Sequence, residues 1–146
     1  MDEFHASVTI NRARDEVFRY LVDPETQTVW NSGLQEFTAA WAGEPKVGDR
    51  AKGTVKVAGR QVHWEAETTE VQPPARVVYQ SVEAPFPFTL AFTLVDRDGA
   101  TGVQHDGSVG GMSGFFGKLA DPFVAKMYQR DMNSNLANLK AILEQT

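Results

Sequence analysis

From Glu3 to Ile10 apolar and polar side chains alternate, with Phe4, Ala6, Val8 and Ile10 set against Glu3, His5, Ser7 and Thr9. A period of two predicts a strand with one buried face. Between Arg12 and Pro24 the period changes: Val17, Phe18, Leu21 and Val22 fall at helical spacing, Asp15 and Glu16 suit the positive end of a helix dipole, and Pro24 stops the helix. A second short helix is predicted from Glu25 to about Trp30, broken by Asn31-Ser32-Gly33.

Beyond Gly33 the texture is that of strands with turn signals at short intervals. Phe37, Ala39 and Trp41 alternate before Gly43-Glu44-Pro45. Asp49–Ala58 alternates around Ala51, Gly53, Val55 and Val57, and Gly59-Arg60 makes a reversal. Gln61–Val71 carries Val62, Trp64, Ala66 and Thr68 on one face and His63, Glu65 and Glu67 on the other; Pro73-Pro74 ends it. Ala75–Val82 is rich in β-branched residues, Phe86–Val95 repeats Phe86, Phe88, Leu90, Phe92 and Leu94 at period two, and a last strand runs from about Thr101 to Val109. Strands in succession joined by short turns predict an antiparallel meander.

Seven glycines crowd the stretch from Gly99 to Gly117. Gly110-Gly111-Met112-Ser113-Gly114 reads as a loop, whereas Gly107 falls inside the strand pattern, where it permits a bend or the close approach of another element. Asp121-Pro122 supplies an N-cap and a proline at the first helical position. A single long helix follows to Glu144, with Val124, Tyr128, Met132, Leu136, Leu139 and Leu143 on one stripe. At about 1.5 Å per residue it spans about 34 Å, enough to cross a small sheet. Phe123 and Met127 widen that stripe, and Phe115, Phe116 and Leu119 precede it, giving more apolar surface than contact with one sheet requires.

Composition narrows the setting. The chain has 146 residues, a formal net charge of −5 and no cysteine. The charge and the lack of a Lys/Arg run argue against nucleic-acid binding, which needs cations to neutralise phosphates. Without cysteine there is no disulfide, thiolate nucleophile or Cys-ligated metal. The acidic, early-polar N-terminus is unlike a signal peptide, and no apolar run reaches the ~20 residues needed to cross a bilayer. The expectation is one soluble, cytoplasmic domain over residues 1–146, with no integral membrane segment.

The order strand, two short helices, about six strands and one long C-terminal helix resembles the START-like superfamily, also called SRPBCC or helix-grip. The stretches that carry the likeness are Val8–Pro24 (VTINRARDEVFRYLVDP), Trp30, Gly43–Arg50 (GEPKVGDR), Thr68–Tyr79 (TTEVQPPARVVY) and the helix after Asp121-Pro122. Arg12-Ala13 departs from the family, whose members often have a proline there. The resemblance implies an α+β fold in which a strongly curved antiparallel sheet of six to seven strands wraps the long helix. It also implies an apolar cavity between the concave face and the N-terminal half of that helix. The nearest branch comprises small bacterial proteins of the polyketide cyclase/dehydrase and lipid-transport-like type. Members bind sterols, lipids, polyketides or hormones; some catalyse cyclisation or dehydration, others are carriers, and some contact chaperones.

On that scaffold the expected ligand-binding set is Trp30, Trp41, Trp64, Tyr79, Phe88, Phe92, His105, Phe123 and Met127. Tyr79, His105 and Tyr128 are the candidates for acid/base or orienting groups, because a hydroxyl or imidazole on an apolar face needs a partner. For His105 an ordinary core histidine is the competing reading. The three histidines, His5, His63 and His105, lie 58 and 42 residues apart, without the spacing of a metal motif, so no metal and no cofactor is expected. Gly111-Met112-Ser113-Gly114-Phe115 imitates a nucleophile elbow but lacks its final glycine and any downstream histidine. Glu65 and Glu67 alternate away from the core face; with Glu70 they would form an acid/base cluster only if a bulge turned them inward. The expected function is binding of a small hydrophobic or amphipathic molecule, a lipid, sterol or polyketide-like compound. A polyketide cyclase/dehydratase and a protein-interaction domain are the alternatives, and homodimerisation stays open.

Overall fold

The computed structural model describes residues 2–57, 59–111 and 121–145, with the backbone alone at 121. Strand β1 (Asp2–Ile10) leads into two short helices, α1 (Arg14–Val22) and α2 (Gln27–Trp30). Six strands follow: β2 (Leu34–Ala39), β3 (Arg50–Val57), β4 (Arg60–Gln72), β5 (Arg76–Glu83), β6 (Phe88–Arg97) and β7 (Ala100–Val109). The long helix α3 (Asp121–Leu143) comes last. The predicted loop around Met112-Ser113 and the apolar residues Phe115, Phe116 and Leu119 lie outside the described residues.

One antiparallel sheet contains all seven strands in the order β1-β7-β6-β5-β4-β3-β2, curled into a half-barrel. Because β1 and β2 are its two edges, α1 and α2 carry the chain from one edge to the other. The β6–β7 reversal is a two-residue hairpin at Asp98-Gly99, and both residues have positive φ (55° and 89°), the geometry that matches strand twist. Two register shifts interrupt the β4–β5 pairing, between Glu65 and Ala66 and between Thr68 and Glu70. Bulges of this kind bend the strand that carries them.

They do not turn the carboxylates inward. Glu65 and Glu67 lie beside Arg50 at 3.4 and 3.5 Å, and Glu70 meets Arg76 Nε at 3.1 Å, all partly exposed. Most strand ends shift by a residue from the sequence expectation, and at two of them an aromatic assigned to a strand falls outside it. Trp41 falls beyond the end of β2, where its indole N–H reaches the Val22 carbonyl (3.1 Å) instead of continuing the ladder. Phe86 precedes β6, because Pro87 has no N–H to give a ladder.

Helix α3 lies on the sheet through Val124, Met132, Leu136, Leu139 and Leu143, all buried on the stripe that its periodicity predicts. Ile10, Val17, Phe18, Leu94 and Val103 complete the centre of the core. Polar side chains fasten the helix to edge strand β1. Gln129 Nε2 donates to the His5 carbonyl (2.8 Å), Lys140 Nζ to the Thr9 carbonyl (2.6 Å), and the Glu144 carboxylate accepts from the Asn11 N–H just past the strand (2.7 Å).

Candidate functional site

Between the concave sheet face and α3 lies a cavity of about 190 Å³. Its floor is built by the inward-pointing alternate positions of β3 to β7. Ala51 and Ala66, register partners on β3 and β4, are small and lower the floor. Trp64, Tyr79, Phe88, Phe92 and His105 raise its walls, and Tyr128, Asp131, Met132 and Asn135 of α3 form the roof. Trp30, at the end of α2, closes one side.

The aromatic rings hold one another. Trp41 stacks on Tyr79 (centroids 6.3 Å apart, planes 10° apart), and Phe37 stands between Trp41 and Trp64 at 6.2 and 5.9 Å. Trp64 meets Phe88 edge-on at 6.4 Å. Phe92 receives the edge of Trp30 at 6.3 Å and the flat face of the His105 ring at 4.0 Å, interplanar angle 14°. Rings placed by such contacts keep the wall in shape without a guest.

Two of the lining residues each hold a buried polar atom, out of reach from the hollow, that has no hydrogen-bond partner: Trp30 Nε1 and His105 Nε2. Both residues are buried, at 4% and 9% exposure. A buried polar group left unpaired costs about 1–3 kcal/mol. Burial pulls the His105 pKa down to about 4, against the opposing charge of Asp106, so the ring is neutral at neutral pH. Asp106 itself points to the other face of β7, where its carboxylate lies 2.6 Å from His5 Nδ1.

Burial raises the Tyr79 hydroxyl pKa and pushes that of Tyr128 up to about 12, so both stay protonated. Tyr128 packs against Phe4 at 4.6 Å. Gly107 lies beneath it: a Cβ there would stand 3.9 Å from Tyr128 Oη and 3.8 Å from Met132 Cε. These are ordinary van der Waals distances, so α3 packs over Gly107 without requiring that it be glycine.

Of the sequence-predicted site residues, Trp30, Trp41, Trp64, Tyr79, Phe88, Phe92 and His105 line this one cavity, and so does Tyr128. Two others do not. Phe123 is 64% exposed, and Met127 is half-buried but not part of the lining. They sit one position before Val124 and Tyr128, and a step of 100° turns them to the flank of the helix. The cavity meets α3 at Tyr128, Asp131, Met132 and Asn135, from the later part of its N-terminal half to just past its middle.

Leu90 and Met132 were present in the strand and helix periodicities without being singled out. Asn135 was not visible, because an off-stripe polar residue carries no periodic signal. Among the described residues no group of three or more His, Cys, Asp or Glu comes together as a metal site, and no helix is long and apolar enough to cross a membrane.

The family model described as polyketide cyclase/dehydrase and lipid transport matches residues 1–144. The chain belongs to this family. Solved structures share the polyketide cyclase/dehydrase and lipid-transport fold seen here. TTHA0849 from Thermus thermophilus superposes with a TM-score of 0.85 at 18% identity, covering 99% of this chain and 100% of that one. The Zhui aromatase/cyclase from Streptomyces sp. R1128 gives 0.77 at 16% identity, covering 99% and 94%. A START superfamily protein from Mycobacterium smegmatis gives 0.70 at 16% identity, covering 98% and 97%. At such identities the likeness is one of fold. No curated protein matches this family member.

Proposed function

We propose that the protein binds a small hydrophobic or amphipathic molecule in the cavity between the curled sheet and α3. The observation that carries this reading is an apolar hollow of about 190 Å³ walled by aromatic rings, with a few polar side chains such as Tyr79, Tyr128 and Asn135 among its lining. Transfer of apolar surface from water into such a space contributes about 25 cal/mol per Å², and polar side chains of the lining supply orientation. Native mass spectrometry of the purified protein against fatty acids, sterols and aromatic polyketide-like compounds tests it. A stoichiometric complex with one class supports the reading, and the absence of any complex across the panel overturns it.

A cyclase or dehydratase activity is the second reading, favoured by the neutral imidazole and the two tyrosine hydroxyls along the same cavity. In that role His105 would take a proton from a carbon next to a carbonyl, while Tyr79 or Tyr128 would donate a hydrogen bond to the carbonyl oxygen. Turnover of a poly-β-carbonyl substrate that falls at least tenfold in His105→Gln would support it; equal turnover in the variant would remove His105 from it. A solid interior with an exposed apolar patch would favour a protein-interaction role instead, and the cavity is what gives ligand binding the preference.

A further inference from the structure

The walls of the hollow meet at steep angles. The ring planes of Phe37 and Trp41 lie 80° apart and those of Trp64 and Phe88 83° apart, while Phe37 and Trp64 join the two pairs at 5.9 Å. Rings set across one another box a space with aromatic surface on adjacent sides. The face of each ring is the negative side of its quadrupole, which attracts a cation and repels an anion.

One carboxylate shares this lining. Asp131 stands on α3 three residues after Tyr128 and four before Asn135, spacings that put all three on one side of the helix. Asp131 is half-buried, and among the described residues it has neither an ion-pair nor a hydrogen-bond partner. The other charged residue of the lining, Lys56 on β3, is exposed, and its flexible stem lets the ammonium stay in water.

The enclosed groups add no protein cation. The His105 ring is neutral at neutral pH and the phenols of Tyr79 and Tyr128 are protonated. An organic anion brought into this space meets ring faces and a like charge. An organic ammonium meets the same ring faces as an attraction and finds its counter-charge on α3. Because Asp131 is only half-buried, a head group beside it keeps part of its hydration, which lowers the cost of burying the charge.

On the reading that this cavity binds a guest, we propose that the guest carries an organic ammonium group, its charge balanced by the Asp131 carboxylate and by the faces of the rings that box the hollow. The space exceeds the roughly 150 Å³ that accepts benzene, so probes of one or two rings suit it. Calorimetry on the wild-type chain at pH 7 compares 2-naphthylmethylamine, 2-naphthalenemethanol and 2-naphthoate, one bicyclic body with a positive, a neutral and a negative head. The amine should bind about fivefold more tightly than the alcohol, the scale of a partly desolvated cation–π contact, and the carboxylate should bind most weakly. The lead of the amine should shrink in high salt, which screens a partly exposed pair.

Asp131→Asn keeps the shape of the side chain and removes its charge. It should bring the amine to within about twofold of the alcohol and leave the alcohol within about twofold of its wild-type affinity. Lys56→Gln should leave the order of the three probes unchanged. Equal binding of amine and alcohol by the wild type, tightest binding of the carboxylate, or an amine preference that survives Asp131→Asn overturns this proposal and leaves small-molecule binding intact. The wild-type comparison decides even where a variant fails to fold. Failure of all three probes overturns the proposal, and an empty native mass-spectrometry panel beside it overturns the reading on which it rests.

Discussion

His105 shows how one side chain connects the cavity to stability. Its ring is stacked on Phe92 and shut away from water, and its pKa falls to about 4 from an ordinary value of 6.5. Between these two values the unfolded chain binds a proton that the folded chain refuses. Folding stability therefore rises with pH across this window and is lost as pH falls from about 6.5 towards 4. At one pKa unit per 1.36 kcal/mol, the full loss at the acid end is about 3 kcal/mol. Urea melts of wild type and His105→Gln at pH 7 and pH 4.5 measure it. The wild type should lose about 2–3 kcal/mol more than the variant between those pH values, and parallel losses would show that the histidine is not buried neutral. Replacing Phe92 by Leu, which opens the stacked face, should shrink the same difference.

At the scale of elements, the roof of the cavity is fastened to its side wall by asparagines. Asn135 on α3 accepts from the Ser32 N–H (3.1 Å) and hydroxyl (3.2 Å) and donates to the Asn31 side-chain oxygen (3.1 Å); Asn138 donates to the Trp30 carbonyl (3.3 Å). The turn after α2 is thus tied to the helix beside the cavity, at the point where Trp30 presents its indole. Asn135→Ala removes three of these bonds. It should cost about 1–2 kcal/mol of stability, since partial exposure lets water replace part of what is lost. It should also speed exchange of any bound guest several-fold with a smaller change in association rate. Stopped-flow displacement measures the exchange, and an unchanged dissociation rate would separate this clamp from the route of entry.

The elements themselves were legible because their signals are local. Period two marked β1 and β6, helical spacing marked α1 and α3, and the cavity aromatics followed from which strand face was apolar. What escaped depended on tertiary detail. Phe123 and Val124 differ by one position in an equally apolar run, and only the seating of α3 on the sheet decides that the first faces outward at 64% exposure. Gly53 continued an alternating pattern as an unremarkable small residue. In the folded chain a Cβ there would collide with the Glu36 carbonyl and come within 2.9 Å of the Trp64 ring. Its bareness sets how closely β2 and the Trp64 ring approach, which no spacing rule reveals. Asn135 and its partners Asn31 and Ser32 are about a hundred residues apart, beyond any local pattern.

For the whole molecule, the decisive feature is a curled sheet closed by a straight helix. A half-barrel and a cylinder match along one line of contact, where Leu136 and Leu139 are fully buried, and diverge to either side. The space left over depends on how large the floor residues are. Ala51 and Ala66 face each other across β3 and β4 at the bottom of the cavity, and larger side chains in their place would convert hollow into core.

Filling a cavity usually stabilises a protein by about 0.5–2 kcal/mol, while it takes away the space a guest would occupy. Ala66→Leu separates the two quantities. The added atoms enter the 190 Å³ space and bury apolar area without displacing backbone, so the melting temperature should rise by about 3 °C for each kcal/mol gained. Affinity for a one- or two-ring guest should fall at least tenfold in the same variant. Differential scanning fluorimetry with and without 2-naphthol reads both at once: a higher melting point without guest, and little or no further rise with it. A variant that melts lower and still binds would mean that the floor beneath Trp64 and Tyr79 is already packed, and that the guest lies elsewhere on the concave face.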